Sequence, residues 1–164
     1  HLKNFGFVDE VTVVAPGING KMSEFNAALG LLQLQHVDEA LRLRGQIDAQ
    51  YRQALADIPG IECLPPSPGS KHNYSYFPIL VRPEYGISRD ELYTALRREN
   101  VYARRYFYPL ISSFPMYRAL PSAAPANLPV ATRAAEQVLC LPIYPDLTSS
   151  QQEQIVDVIR AHRR

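Results

Sequence analysis

Two stretches of this chain combine residue types and spacing that could bind or transform a small molecule. The first is Pro16 to Leu34, PGINGKMSEFNAALGLLQL. It begins with two turn dipeptides, Pro16-Gly17 and Asn19-Gly20, which favour tight or positive-φ backbone. A polar loop flanked by glycines then feeds the start of a helix, where backbone N–H groups point outward and an anion is well placed. A capped helix after a loop is also a common structural unit with no ligand, and both readings stand on these residues alone. The second stretch is Arg104-Arg105-Tyr106-Phe107-Tyr108-Pro109, followed by Phe114, Tyr117 and Arg118. Aromatic faces and hydroxyls suit a sugar or a nucleotide base, and a guanidinium suits a diphosphate. Alternation along a strand would put only one of Arg104 and Arg105 on a ligand side. Aromatics beside prolines also serve to pack a loop against a domain.

Other reactive types carry less. His72 stands by itself beside Asn73 and reads first as a surface or hydrogen-bonded residue. Cys63 and Cys140 have no metal-ligand spacing and read as buried or idle thiols in a reducing compartment.

The elements that must position these stretches follow from periodicity and caps. Phe7 to Val14 reads as a short strand or extended loop. Ser23 is a plausible N-cap, with Asn26 three residues on to reach back to the first turn, for a helix to about His36. Phe25, Ala28, Leu29, Leu32 and Val37 recur at helical spacing, and Ala27, Ala28 and Gly30 are small enough for another helix or subunit to approach. A second helix is expected from Val37 to Ile58, with Arg42, Arg44, Asp48 and Arg52 on its solvated face and Pro59-Gly60 as its stop. Ile61 to Leu64 reads as a short strand, PPSPGSKHN as a linker, and Tyr74 to Val81 as a strand. Pro78 removes a ladder donor there and points to an edge or a bulge. Ser88 to Glu91 spells a capping box for a helix to Asn100, with a strand expected from Val101 to Phe107. Pro129 opens a helix to about Glu136, VLCLPIYP is a strand, and Thr148 to Gln151 is a second capping box for a helix burying Ile155, Val158 and Ile159.

Bulk properties bound the answer. The chain has 164 residues, 46% of them hydrophobic, and seventeen basic against sixteen acidic side chains give a net charge of +1. That balance argues against a nucleic-acid partner, and the basic ending RAHRR suits a helix C-terminus rather than a polyanion site. No apolar run nears the roughly 20 residues that span a bilayer, and no signal peptide is expected. A cytoplasmic protein without membrane attachment is expected. The opening HLKNFGFVDEVTVV lacks an initiator Met, from which a fragment or cut piece is expected.

PGINGKMSEFNAALGLLQL resembles the signature segment of the sugar-nucleotide aminotransferases (the DegT/DnrJ/StrS group). RRYFYPLISSFPMYRALP and VLCLPIYPDLTSSQQEQIVDVIR are similar, in the right order, to that family's aromatic-Pro and closing segments. The resemblance runs from about Phe5 to the end and implies the C-terminal portion of a fold-type-I, pyridoxal-phosphate-dependent enzyme. On that basis residues 1–22 are a strand-and-loop remnant of the large domain with a cofactor-reaching loop, and residues 23–164 are the small domain. The fold class is α/β (α+β): a small mixed or antiparallel sheet flanked by helices and preceded by a long helical segment. The resemblance further implies amino transfer, commonly from glutamate, to a nucleotide-linked keto-deoxyhexose for surface polysaccharide or lipopolysaccharide, in a homodimer.

Residue by residue, the resemblance places Asn19 and Lys21 at the partner subunit's pyridoxal phosphate. It puts Arg105, Tyr106 and Tyr108 on the sugar-nucleotide side. None of Lys3, Lys21 and Lys71, the only lysines, lies in a Schiff-base context. No catalytic residue, no metal site and no independent activity are therefore expected of this chain. Two alternatives remain at this stage: a sugar dehydratase on the same scaffold, and a non-catalytic dimerisation module built on the Phe25–Leu34 helix.

Overall fold

A computed structural model describes residues 2–20 and 22–164. Among the described residues there are five α-helices and one three-stranded antiparallel sheet, in the mixed α/β class expected. The chain divides into two compact units, residues 1–39 and 40–164.

The first unit opens with a backbone ladder. Antiparallel bridges pair Asn4 with Asn19 and Phe7 with Val13, and Phe5, Ile18 and Gly20 donate their N–H groups to Ile18, Leu2 and Lys3 carbonyls. The extended-loop reading of Phe7 to Val14 therefore holds, as isolated bridges rather than a strand. Gly17 is needed for space, not for positive φ: a Cβ there would lie 2.2 Å from the Gly6 nitrogen. Gly6 itself has φ 85°, and its Cβ would meet the Ala15 carbonyl oxygen. Asp9 closes the tip by accepting from Val11 and Thr12 N–H groups at 2.9 and 2.7 Å, which lowers its pKa. Helix α1, Glu24–Leu34, starts at Ser23, whose hydroxyl accepts from the Asn26 backbone N–H; the backbone of Asn26, not its side chain, completes the cap. No residue of α1 is buried, and Phe25 is 79% exposed.

The second unit holds the core. Helix α2, Val37–Leu55, ends three residues short of the expected Ile58, and Ile58 packs into the core from the turn that follows. Ile47, Tyr51 and Leu55 face inward against Phe77, Ile79, Leu139 and Ile159. Burying each such side chain contributes about 1.5–3 kcal/mol. One residue assigned to the solvated face is in fact buried: Asp48 is only 8% exposed. It lies three and seven residues before Tyr51 and Leu55 and therefore on their stripe. Its carboxylate is matched by Arg52, one turn on, whose Nε donates at 2.7 Å.

Strands β1 (Ile61–Cys63), β2 (Phe77–Val81) and β3 (Val138–Leu141) lie in that order, both pairs antiparallel. β2 begins three residues later than the sequence suggests. It is also the central strand, so Pro78 sits neither on an edge strand nor in a bulge. The register explains why the proline is tolerated. Pro78 faces Cys140, but Cys140 spends its own N–H and C=O on Arg104, at 2.7 and 2.9 Å. The Pro78–Cys140 pair is thus a non-hydrogen-bonded one, and the missing donor points to the β1 side, where pairing has already ended at Cys63–Ile79.

Helix α3, Arg89–Arg98, has its capping box at Ser88 and Glu91, and Asn100 reverses the chain with φ 59°. The strand expected over Val101–Phe107 does not form; its one ladder contact is the Arg104–Cys140 bridge. Because that bridge is isolated, β3 gains no fourth strand, and the chain leaves the sheet as an aromatic loop. Helix α4, Pro129–Gln137, starts on its proline as expected. Helix α5, Ser149–Ala161, carries the second capping box at Thr148 and Gln151 and buries Ile155, Val158 and Ile159.

Candidate functional site

The candidate residues fall in both units. In the first, Asn19 is held by its backbone: it bridges Asn4, and the next residue donates to Lys3. Its side chain is exposed. Among the described residues the Asn19 amide has no hydrogen-bond partner, so it is free to donate. Lys21 lies outside the described residues.

In the second unit the structure separates the three aromatic-loop candidates into two groups. Arg105 and Tyr108 come together. The Arg105 guanidinium lies 4.6 Å from the Tyr93 ring centroid and 5.7 Å from that of Tyr108, and its Nη1 donates to Asp90 at 2.9 Å. Arg89 covers Tyr108 at 4.7 Å. Tyr106 turns elsewhere: its ring stacks on Phe107 with centroids 5.1 Å apart and meets Tyr76 edge-on at 5.6 Å. Tyr76, Tyr106 and Phe107 form an exposed aromatic patch suited to stacking.

Tyr108 also lines a cavity of about 330 Å³ with Leu110, Ser112, Arg118, Thr132 and Glu136. An aromatic wall, hydroxyls and one charge of each sign could hold a polyhydroxylated ring. Arg118 and Tyr117 were visible in the sequence as neighbours of the loop. Arg89, Asp90, Tyr93, Thr132 and Glu136 were not, because α3 and α4 bring them from distant positions and nothing in their local pattern marks them.

Other reactive groups are inert here. Burial raises the thiol pKa of both Cys63 and Cys140, which keeps them protonated. The His72 ring accepts the Tyr74 N–H through Nδ1. Among the described residues no group of His, Cys, Asp and Glu could hold a metal ion, and no helix is long and apolar enough to cross a membrane.

Pyridoxal phosphate asks for three things: a lysine for the covalent link, a carboxylate for the pyridine nitrogen, and N–H donors for the phosphate. Lys3 lies in the bridged loop before α1 and Lys71 in the exposed linker after β1, so neither is set in a closed pocket. The free Asn19 amide fits the third requirement. Among the described residues there is thus a donor that could serve the phosphate end of the group and no lysine set for its covalent anchor.

Residues 1–160 match the DegT/DnrJ/EryC1/StrS aminotransferase family. The dTDP-4-amino-4,6-dideoxy-D-glucose transaminase of Escherichia coli is 55% identical over 146 residues, covering 89% of this chain and 39% of that protein. The Shigella dysenteriae enzyme of the same description is 49% identical over 159 residues, covering 97% and 43%. Among solved structures, DesI in the presence of its TDP-sugar product superposes with a TM-score of 0.82 at 33% identity, over 98% of this chain and 40% of that one. The chain spans about two fifths of the length of the curated relatives it matches.

Proposed function

The chain belongs to the DegT/DnrJ/EryC1/StrS aminotransferase family, and from that premise we propose that it is the C-terminal portion of a sugar-nucleotide transaminase. Its substrate is a dTDP-linked 4-keto-6-deoxyhexose, its amino donor glutamate, and its product a 4-amino sugar for surface polysaccharide or lipopolysaccharide. The observation that carries this reading is the 55% identity to the E. coli transaminase across 89% of the chain.

Residues 1–22 act as the cofactor-reaching part and residues 23–164 as the small domain. Pyridoxal phosphate, when bound, supplies the electron sink that lets an amino group move between a carbon of the donor and a carbon of the sugar. This chain's residues bind and orient. Asn19 donates its amide N–H to a phosphate oxygen of the cofactor in the partner subunit of a homodimer, and Lys21 adds positive charge beside it. Arg105 pairs with the nucleotide's diphosphate, a match of planar fork to anion. Tyr108 and Tyr106 present ring faces and hydroxyls to the sugar and base. Without a Schiff-base lysine the chain by itself does not transaminate, and the whole enzyme works in the cytoplasm.

The test is to supply the full-length protein with pyridoxal phosphate, glutamate and dTDP-4-keto-6-deoxyglucose. Formation of 2-oxoglutarate together with a dTDP-amino sugar of the corresponding mass is expected. Loss of the substrate's hydroxyl without incorporation of nitrogen would overturn the reading and favour a dehydratase.

A further inference from the structure

Two arginines and one carboxylate meet beneath the aromatic loop. Asp90 Oδ1 accepts from Arg89 Nε and from Arg105 Nη1, each at 2.9 Å. Among the described residues Asp90 is the one carboxylate ion-paired with either arginine. Two positive charges against one negative leave the cluster with a surplus of +1.

That surplus has a definite location. Arg89 is buried, and its Nη1 is spent on the carbonyls of Ala135 and Val138, both at 3.0 Å, at the junction of α4 and β3. Its flat face is covered by the Tyr108 ring. Arg105 is the outer member, 37% exposed, stacked on Tyr93 and with its Nε and Nη2 groups carrying no hydrogen bond among the described residues. The uncommitted donors and the excess charge coincide on one guanidinium.

We propose that Asp90 is a positioning residue for a phosphate-bearing substrate: by bridging the anchored Arg89 to Arg105 it fixes Arg105 between Tyr93 and Tyr108, with two donors aimed at an anion. The inference rests on the transaminase reading above and adds Asp90, Arg89 and Tyr93 to it. A long arginine held in one rotamer loses less entropy when it binds an anion than a free one does. Asp90 does not touch substrate; it acts through Arg105.

The experiment compares five forms of the full-length enzyme: unaltered, Asp90→Asn, Arg105→Ala, Arg105→Lys, and the Asp90→Asn, Arg105→Ala double variant, each assayed for transamination of the dTDP-keto sugar. Asp90 is 57% exposed at the start of α3, so the amide fits without disturbing the helix. Asp90→Asn and Arg105→Ala are each expected to raise the sugar-nucleotide KM about tenfold with kcat within about twofold, and the double variant to be no worse than Arg105→Ala alone. Arg105→Lys keeps the charge without the stacked fork and is expected to raise KM as Asp90→Asn does. An unchanged KM in Asp90→Asn overturns the proposal, as does an effect that adds fully to that of Arg105→Ala. An unchanged KM in Arg105→Ala removes the role given to Arg105 and the proposal with it. A lack of turnover in the unaltered enzyme overturns the transaminase reading itself, and is thereby told apart from a failure of Asp90.

Discussion

The Tyr85 hydroxyl donates to the carbonyl of Ile159, 74 residues away, and closes the end of α5. The last four carbonyls of a helix have no intrahelical partner, and Ile159 is among them in α5. Tyr85 is fully buried, so this orphan acceptor is satisfied by a side chain where water does not reach. Tyr85→Phe keeps the ring and removes the bond. It should cost about 1–2 kcal/mol of stability near neutral pH, read as a lower urea midpoint with an unchanged slope.

The burial of the same phenol sets an alkaline limit. Burial pushes the Tyr85 pKa up to about 12, and burial raises that of Tyr51 as well. The unfolded phenol titrates near pH 10, so the folded state holds its proton longer. The stabilisation is fully present below pH 10 and is lost as pH climbs from there towards 12. Tyr85→Phe has no such proton. Its urea midpoint, lower than that of the unaltered chain at pH 8, should draw level as both are measured towards pH 11; a constant gap would contradict the assignment.

Asp48 should behave as a core residue although its charge marks it as surface. Arg52 donates to both of its oxygens, at 2.7 and 3.3 Å, reaches the Leu64 carbonyl at 2.8 Å and lies over the Phe77 ring. Removing the carboxylate strands a guanidinium against an apolar wall. Asp48→Ala is expected to cost about 1–3 kcal/mol, whereas Glu153→Ala on the exposed face of α5 should stay within about 0.5 kcal/mol. Equal effects in urea unfolding would show that Asp48 is solvated after all.

What the sequence disclosed and what it hid divide along a physical line. Local chemistry was legible: both capping boxes and the Pro129 helix start each depend on residues within one turn. Pairing was not. Pro78 alone argued for an edge or a bulge, and only the commitment of Cys140 to Arg104 shows why a proline can sit in a central strand. Arg105, Tyr106 and Tyr108 were visible as a motif, but their division into a charged group and an aromatic patch depends on Asp90, Tyr93 and Tyr76, which other elements deliver. Asp48 failed for the converse reason, since a charged residue on a core stripe cannot be recognised without seeing its partner.

Thr148→Ala tests the closing helix. Thr148 accepts the Gln151 N–H at 3.2 Å, while the Gln151 side chain accepts from the Thr148 N–H at 3.0 Å. Loss of the hydroxyl should cost about 1 kcal/mol. α5 buries Ile155, Val156, Val158 and Ile159 in the one core of the second unit, so the loss should appear as a shift of the whole unfolding transition rather than as local fraying.

Asn19 offers the cleanest separation of binding from folding in the proposed enzyme. Its backbone carries the ladder and its side chain, among the described residues, carries nothing, so Asn19→Ala should leave the loop in place. Gly17→Ala should do the opposite, because the new Cβ would lie 2.2 Å from the Gly6 nitrogen and the loop must shift to admit it. In the full-length enzyme, Asn19→Ala is expected to weaken pyridoxal phosphate binding by about tenfold, the loss of one hydrogen bond to a charged oxygen, with the melting temperature of the cofactor-free protein unchanged. Lys21→Ala should weaken binding in the same direction and make it less sensitive to salt, since it removes a charge rather than a neutral donor. Cofactor titration followed by absorbance reads both. Unaltered affinity and turnover in the Asn19→Ala, Lys21→Ala double variant would remove this loop from the cofactor site and leave the first unit a role in assembly alone.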